Sequence, residues 1–378
     1  MQRKVPARRQ RKVPALRQGT VTAGTLIPAL ALVLAAVLAG CASGGRMRQP
    51  PPQPRAVRAF LATYVQPDGR VTRPDQGGDT VSEGQAYGLL LAEVAGDNGA
   101  FGRIWRWTHD HLQLPNGLFA YHANAAGQIL SRQPASDADL LMAWALLRYR
   151  GPGAAGMRAE GRRVAAAVLA HEVTTGPGGT PILAAGPWAT GRPASLDPSY
   201  WSLTAMNGIA SLTGNPRWRR LAEGAVALTR HLTGGGRVLP PDWAELTASG
   251  VIRAEPAPNG SQPQPQYGLD AQRTVVWFAS SCDAQARQLA ARWWTLLKPG
   301  DRAQATVLHP AGPVIDPAVA VLPLVASASS AYAAGAAGAG HHLLQRASQV
   351  QQKYPTYYGA AWAALGPALL SGATLGGC

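Results

Sequence analysis

Four polar side chains, Glu83, Asp137, Tyr200 and Asp270, each stand where a segment of helical spacing begins, 54, 63 and 70 residues apart. Glu83 lies in Thr80 to Asp97, TVSEGQAYGLLLAEVAGD. There Ser82 and Gln85 fit a capping box, which puts Glu83 in the first turn and Ala86, Leu89, Leu90 and Val94 on the buried face. Asp137 lies in Ala135 to Ala143, ASDADLLMA. Ser136 is again a cap candidate, and Met142, Leu146 and Tyr149 supply the apolar stripe. Asp139 can serve that cap, which leaves Asp137 without a structural task. In Tyr267 to Trp277, YGLDAQRTVVW, Gly268 breaks the chain and Asp270 opens an apolar helix, with Arg273 one turn later and close enough to pair. In Asp197 to Trp201, DPSYW, a proline, a serine and two aromatics start another helix. Tyr200 is either a core aromatic or a hydroxyl aimed into a cleft.

Each of these groups has a plain structural alternative. A first-turn acid such as Glu83 complements the helix dipole, and Asp270 with Arg273 makes an ordinary ion pair at a helix start. A catalytic use has sharper demands. Cleaving a glycosidic bond with inversion takes one carboxylic acid to protonate the leaving oxygen and one carboxylate on the opposite face to activate water, ~6.5–9.5 Å away. A helix N-terminus favours the ionised form, so Glu83 needs burial or a neighbouring carboxylate such as Asp137 to hold a proton. Arg273 keeps Asp270 ionised, as a base requires. If helices alternate up and down, alternate N-termini share one end, and the four groups can line one mouth.

The elements that must position them are mainly helices. Helical length and spacing predict Ser82–Ala95, Ala100–Leu112, Ser136–Tyr149, Met157–Glu172, Tyr200–Leu212, Pro216–Leu232, Asp270–Ser281, Ala284–Leu297, Pro317–Ala334, Ala337–Gln351 and Tyr357–Leu370. Clean alternating strands are few, and Glu255 to Gln266, EPAPNGSQPQPQ, reads as a surface loop. About twelve helices in hairpin order suggest a bundle, a solenoid or a closed ring, and composition does not choose. Of the eleven tryptophans, Trp144, Trp277, Trp293 and Trp294 sit at helical spacing and read as core. Trp188 and Trp243, in loop-like contexts, are the candidates for platforms on which a sugar ring stacks.

With 378 residues, 46% of them hydrophobic, the chain can bury a full core without disulfide staples. The first forty residues read as a leader. Seven basic residues from Arg3 to Arg17 precede an apolar run, Leu26 to Leu38, and then Ala39, Gly40 and Cys41. Leu38 to Cys41 resembles the bacterial lipoprotein box, which implies a lipid on Cys41, and Ala42 then implies the outer membrane. The apolar run is shorter than the ~20 residues a spanning helix needs. Loss of residues 1–40 lowers the formal charge from +15 to +8. The remaining arginines are scattered, without nucleic-acid motifs. Residues 41–54 then form the anchor and a stiff spacer, Gln49 to Pro54, ahead of one catalytic domain over 55–378. Cys282 and Cys378 could pair in an oxidising compartment, although their spacing does not decide it. His109 and His111, and the adjacent His341 and His342, lack zinc spacing. No phosphate-binding glycine loop with its lysine occurs, and Ser82 and Ser199 lack a nucleophile elbow. No metal or organic cofactor is implied.

TVSEGQAYG, ASDADLLMAWALL, DPSYW, PPDW and the Asp270–Arg273 run together resemble glycoside hydrolase family 8, over about Phe60 to the C-terminus. The likeness is nearest to the periplasmic cellulases of bacterial cellulose-synthesis operons. It implies an all-α (α/α)6 barrel with an open cleft at one end and inverting endo-hydrolysis of β-1,4-glucans by a monomer. The matching positions imply Glu83 as proton donor, Asp270 as base, and Asp137 and Tyr200 as ligands of the distorted sugar and the attacking water. Tyr87, Arg273, Trp188 and Trp243 join them as substrate-binding residues. The expected partners are a β-1,4-glucan chain, the cellulose synthase and export complex, and a membrane reached through the lipid anchor on the periplasmic side of the envelope, with secretion as the variant. Leu269 stands where the family often has tyrosine, and Arg148 and Tyr149 also depart from its pattern. Xylan, mixed-linkage glucan and chitosan are the alternative substrates. A non-catalytic glycan-binding lipoprotein is the alternative class, and the two intact acids speak against it.

Overall fold

Residues 54–372 and 374–376 are described by a computed structural model. The expected leader, the expected lipidation at Cys41 and the expected spacer up to residue 53 lie outside the described residues. Twelve α-helices run in chain order among those described. They are α1 (Pro54–Tyr64), α2 (Ser82–Ala95), α3 (Asn98–Leu112), α4 (Ser136–Arg148), α5 (Ala154–His171), α6 (Leu203–Thr213), α7 (Pro216–Leu232), α8 (Leu269–Ala279), α9 (Ala284–Leu297), α10 (Val321–Ala333), α11 (Ala337–Lys353) and α12 (Tyr357–Leu370).

The even-numbered helices close a ring: α2 packs on α4, α4 on α6, α6 on α8, α8 on α10, α10 on α12, and α12 back on α2. The odd-numbered helices lie outside, each against its neighbours in sequence: α3 on α2, α5 on α4, α7 on α6, and α11 on α10 and α12. This is the (α/α)6 barrel, the closed-ring choice among the three arrangements that the helix count allowed. Burial follows the same division. Every residue of α4 from Ser136 to Leu147 is buried, as is α10 from Val321 to Tyr332. Outer α7 instead buries Trp218, Leu221, Ala222 and Val226 and leaves Arg217, Arg219, Arg220 and Arg230 exposed. Inner helices approach closely where glycine permits. A Cβ at Gly366 of α12 would meet Val325 of α10 at 2.3 Å, and one at Gly84 of α2 would meet the Tyr357 hydroxyl at 2.7 Å.

Alternation has a consequence for the site. In a ring of helical hairpins all inner helices run the same way, so the N-termini of α2, α4, α6, α8, α10 and α12 gather at one end. Trp362 of α12 packs edge-on against Tyr87 of α2 and Trp277 of α8, with centroids 5.7 and 5.6 Å away, and fills the space between these helices. Each such buried aromatic contributes on the order of 2–3 kcal/mol.

Short antiparallel strands brace the connections. β1 (Thr80–Val81), β2 (His122–Ala123) and β3 (Ile129–Ser131) form one sheet, and β4 (Val173–Thr175) with β5 (Pro181–Leu183) a hairpin. β6 (Ala194–Leu196), β7 (Trp243–Leu246) and β8 (Ile252–Glu255) form a second sheet, and β9 (Ala305–Leu308) with β10 (Val314–Val319) a second hairpin.

Several expectations are corrected here. Pro54 ends no spacer; it is the first residue of α1, which buries Val57, Phe60 and Tyr64. The helix expected from Pro317 begins at Val321, because 314–319 pair as β10 with β9. The helix expected from Tyr200 begins at Leu203, capped by the Ser202 hydroxyl, after a separate 3-10 turn over Pro198–Tyr200. Val94 is only half-buried, whereas α2 buries every residue from Gly84 to Ala92. Cys282, just beyond α8, is disulfide-bonded. The other two cysteines, Cys41 and Cys378, lie outside the described residues.

Candidate active site

The first turns of α2, α4 and α8 and the 3-10 turn before α6 meet on one guanidinium. Arg273, one turn into α8 and only 4% exposed, donates from Nη1 to Glu83 Oε1 at 2.5 Å and to Asp137 Oδ2 at 2.8 Å. Its Nη2 donates to Asp270 Oδ1 at 3.0 Å and to Ser199 Oγ at 2.8 Å, and stands 4.0 Å from Asp197 Oδ2. The ring of Tyr200 lies beneath the guanidinium carbon, 5.3 Å from its centroid, a cation–π contact. The Tyr87 hydroxyl donates to Glu83 Oε1 at 2.5 Å. Glu83, Asp137, Tyr200 and Asp270, distant in sequence, therefore surround one cation, together with Tyr87.

The local anchors differ from those the sequence suggested. Ser82 does not cap α2: the N-cap is Val81, which makes no side-chain cap bond, and the Ser82 hydroxyl is buried without a partner. Strand pairing holds this helix start instead, through Val81 opposite His122 and the Ser82 N–H donating to the Tyr121 carbonyl. Gln85, the other half of the expected box, accepts from the Val71 N–H at 2.5 Å and donates to Thr108 at 2.7 Å, tying α2 to α3 and to the turn before β1. Ser136 likewise turns away from its helix end and donates to the Ala184 carbonyl. Asp139 does not cap α4 either. It accepts from the Phe119 N–H at 2.9 Å and lies against Glu172, both carboxyls fully buried. Gln85, Ser136 and Asp139 have each found a partner far away in sequence, which satisfies a buried polar group better than the local turn does.

Glu83 and Asp270 sit on different nitrogens of the same guanidinium, so their nearest oxygens are at most about 8 Å apart, which admits the ~6.5–9.5 Å that inversion requires. Arg273 was expected to pair with Asp270 and to join the substrate-binding residues. It serves both acids, and Glu83 is its shorter contact. The reason is geometric: Arg273 projects to the axis of the ring, where the first turns of α2 and α8 face each other. Glu83 and Asp270 keep 17% and 36% of their side chains exposed, while Asp137 and Asp197 are shut in.

One cation facing four carboxyls cannot balance them all, and buried unpaired charge is expensive. The excess is met by protonation. Burial pushes the Asp137 carboxyl up to about 7; Arg273 opposes the rise and the charge of Glu83 adds to it. Burial and then the charge of Asp270 push Asp197 well above the usual carboxylate range. Burial likewise drives Asp139 up to about 8. Protonation is therefore favoured at Asp137 and Asp197, which share Arg273 with Glu83 and Asp270, and at Asp139 against Glu172.

Of the expected platforms, Trp188 is 44% exposed, and its indole N–H donates to the Pro134 carbonyl, just before α4. Trp243 is not in a loop but in β7, half-buried, with its ring edge-on to Tyr200 at 6.5 Å. Trp144, Trp277 and Trp293 are core, and Trp294 packs against the core half-buried.

Reading the sequence missed four groups. Ser199 and Asp197 lie in the same DPSYW segment as Tyr200, and the guanidinium needs all three. Tyr121 meets the start of α2 through its carbonyl, and burial of its hydroxyl together with the Glu83 charge raises that group to about 12. Tyr358, at the start of α12, is held above its ordinary value by burial, against the pull of Arg273. Position in the first turn of an inner helix was the available signal for Tyr358. Tyr121 is brought in by the pairing of β1 and β2, which nothing local announces.

Comparison with known proteins gives a consistent result. The glycosyl hydrolases family 8 model matches residues 26–297. A probable endoglucanase of Novacetimonas hansenii is 31% identical over 233 residues, 58% of this chain and 64% of the relative. An endoglucanase of Cellulomonas uda is 32% identical over 227 residues, 58% of this chain and 61% of the relative. The match thus spans a little under two thirds of these relatives' own length. Among solved structures, a family 8 endoglucanase from Klebsiella pneumoniae superimposes with a TM-score of 0.68 at 27% identity, covering 82% of this chain and 97% of that one.

Proposed function

This chain belongs to glycosyl hydrolase family 8, and on that footing we propose that it is an endo-acting, inverting β-1,4-glucanase with Glu83 as general acid and Asp270 as general base. The observation that carries this reading is the convergence of two acids, from opposite sides of a closed helix ring, on the two ends of one guanidinium.

In the proposed reaction Glu83 gives its proton to the glycosidic oxygen as the bond to the anomeric carbon breaks. Asp270 takes a proton from a water that attacks the opposite face of that carbon. One C–O bond breaks, one forms, and solvent returns the protons to their starting places. Arg273 and Tyr87 both donate to Glu83 Oε1, which leaves Oε2 as the oxygen that carries the proton to the leaving group. Asp137 and Tyr200 then orient the water and the distorted ring, and Trp188 and Trp243 offer stacking faces further along the chain. Each role of this kind is worth on the order of 10²–10⁴ in rate for the acid and the base.

The test is hydrolysis of carboxymethylcellulose, mixed-linkage glucan, xylan and chitosan side by side, by the parent and by Glu83→Gln and Asp270→Asn. The expected result is glucan cleavage by the parent and loss of most activity in both variants with folding intact. Near-parental turnover in either variant removes that residue from its role. Stronger hydrolysis of xylan or chitosan than of glucan overturns the substrate assignment, and a folded parent that binds glucan without cleaving it returns the glycan-binding alternative.

The same reading makes residues 1–40 a lipoprotein leader, Cys41 the lipidated anchor and 41–53 the tether that carries the catalytic domain on the periplasmic side of the envelope, with cellulose synthesis as the setting. No helix among the described residues is long and apolar enough to cross a membrane. Labelling with a fatty-acid probe tests the anchor: label lost in Cys41→Ala supports it, and label retained contradicts it.

A further inference from the structure

The Pro240-Pro241-Asp242-Trp243 run carries an acid that the reaction does not use. Asp242 is 1% exposed. Its Oδ1 accepts from the Gly268 N–H at 2.9 Å and the Ala271 N–H at 2.7 Å. Its Oδ2 accepts from the side-chain amides of Gln262 and Gln266 at 2.9 and 3.1 Å. All four contacts are donors to it.

Gly268 is the N-cap of α8 and makes no side-chain cap bond. The bonds an N-cap side chain would supply, to its third following N–H above all, come instead from Asp242, far away in sequence. The glycine is not there for backbone freedom, since its φ is −110°. It is there for room: a Cβ on Gly268 would stand 2.4 Å from Asp242 Oδ2 and 2.9 Å from the Gln266 amide nitrogen. The sequence has emptied this position and filled it from another segment.

The two backbone N–H groups that Asp242 holds flank Asp270 on either side, and Arg273 follows one turn later. Asp242 also leads directly into β7, whose Trp243 packs on Tyr200. The carboxylate therefore joins the first turn of α8 to the wall that carries the aromatic groups.

We propose that Asp242 is a positioning residue: it caps α8 from outside the helix and thereby fixes Asp270 and Arg273 against Glu83. The inference rests on the reading of Asp270 as base. It gives a distinct expectation, because displacing a reacting group by about 1 Å can cost ~10²-fold in rate while leaving the binding platforms in place.

The experiment compares the full chain with Asp242→Ala, Asp242→Asn and Asp270→Asn on cellohexaose, with folding checked by circular dichroism. Asp242→Ala is expected to lower kcat by about 10- to 100-fold with KM changed less than about twofold. Asp242→Asn is expected to recover kcat to within about threefold of the parent, because its amide oxygen still accepts from Gly268 and Ala271 while the two glutamines turn over to offer oxygens. Adding Asp242→Ala to Asp270→Asn is expected to cost less than about threefold more, since the helix then positions no base. Parental kcat in folded Asp242→Ala, or losses that multiply in the double variant, overturns the inference. Should Asp242→Ala fail to fold, Gly268→Ala reads the same contact from the other side, where lowered kcat supports the inference and parental kcat overturns it. Parental kcat in Asp270→Asn removes the base reading itself, whereas inactive Asp270→Asn beside fully active Asp242→Ala removes this inference alone.

Discussion

Replacing Arg273 with methionine should destabilise the protein strongly at alkaline pH and weakly at acid pH. Methionine keeps much of the stem's volume, so the change is mainly one of charge. It strips the cation from Glu83, Asp137, Asp197 and Asp270 at once. Removing one partner of a buried ion pair typically costs ~3–5 kcal/mol. The carboxyls have an escape, because a protonated acid needs no cation. Asp137 already titrates near 7 and Asp197 higher than usual, with Arg273 holding both down; without it both rise further. A carboxyl whose folded value exceeds its unfolded ~3.9 has a folded state that binds the extra proton. It therefore loses stability as pH climbs from the unfolded value to the folded one, at about 1.4 kcal/mol per pH unit for each proton. At pH 5 the deficit should be the lost hydrogen bonds alone, about 1–2 kcal/mol. By pH 8.5 it should reach about 3–5 kcal/mol. Urea denaturation of parent and variant at pH 5, 7 and 8.5 reads this directly. The same deficit at all three values, or one below about 1 kcal/mol at pH 8.5, would refute the account of Arg273 as the charge centre of the ring.

The other predictions concern the groups around that centre. Asp139 and Glu172 are buried together, and burial raises both, Asp139 to about 8. The parent should therefore lose stability between about pH 5 and 8, and Asp139→Asn should flatten that slope by about 1.4 kcal/mol per pH unit, as thermal melts across the range will show. An unchanged slope would mean that the pair is not a proton sink. Trp243→Ala should raise KM for cello-oligosaccharides and also lower kcat, because its ring packs on Tyr200. Trp188→Ala should raise KM alone, by about 10-fold for a stacking contact worth ~1–1.5 kcal/mol.

Helices whose ends carry local signals were legible in the sequence. Pro216 opens α7 and Gly96 closes α2 in the left-handed region, and both boundaries fall where expected. The gathering of Glu83, Asp137 and Asp270 at one end was legible for a related reason: they are first-turn acids, and in a ring of hairpins first turns share an end. What the sequence hid was long-range. Ser82, Gln85, Ser136 and Asp139 look like local caps, yet each is buried; the last three bond to groups far away in sequence, and the Ser82 hydroxyl has no partner. α1 escaped notice because Pro54 continues a proline run that reads as a spacer, although proline is at home in a first helical turn. Pro317 misled in the opposite sense, as a helix start that proved to be a strand. From helical periodicity alone ring closure could not be read, and only the family resemblance implied it, since α4 and α10 are buried on every face. Nor could the convergence of Glu83, Asp137 and Asp270 on one side chain, because it exists only once the ring has closed.

The most direct test of the central claim follows the anomeric configuration of the first product by proton NMR as the enzyme cleaves cellohexaose. Two acids with a water between them predict that the α-anomer appears first and mutarotates towards equilibrium. An initial β-anomer would contradict the assignment of Asp270 as a base acting through water.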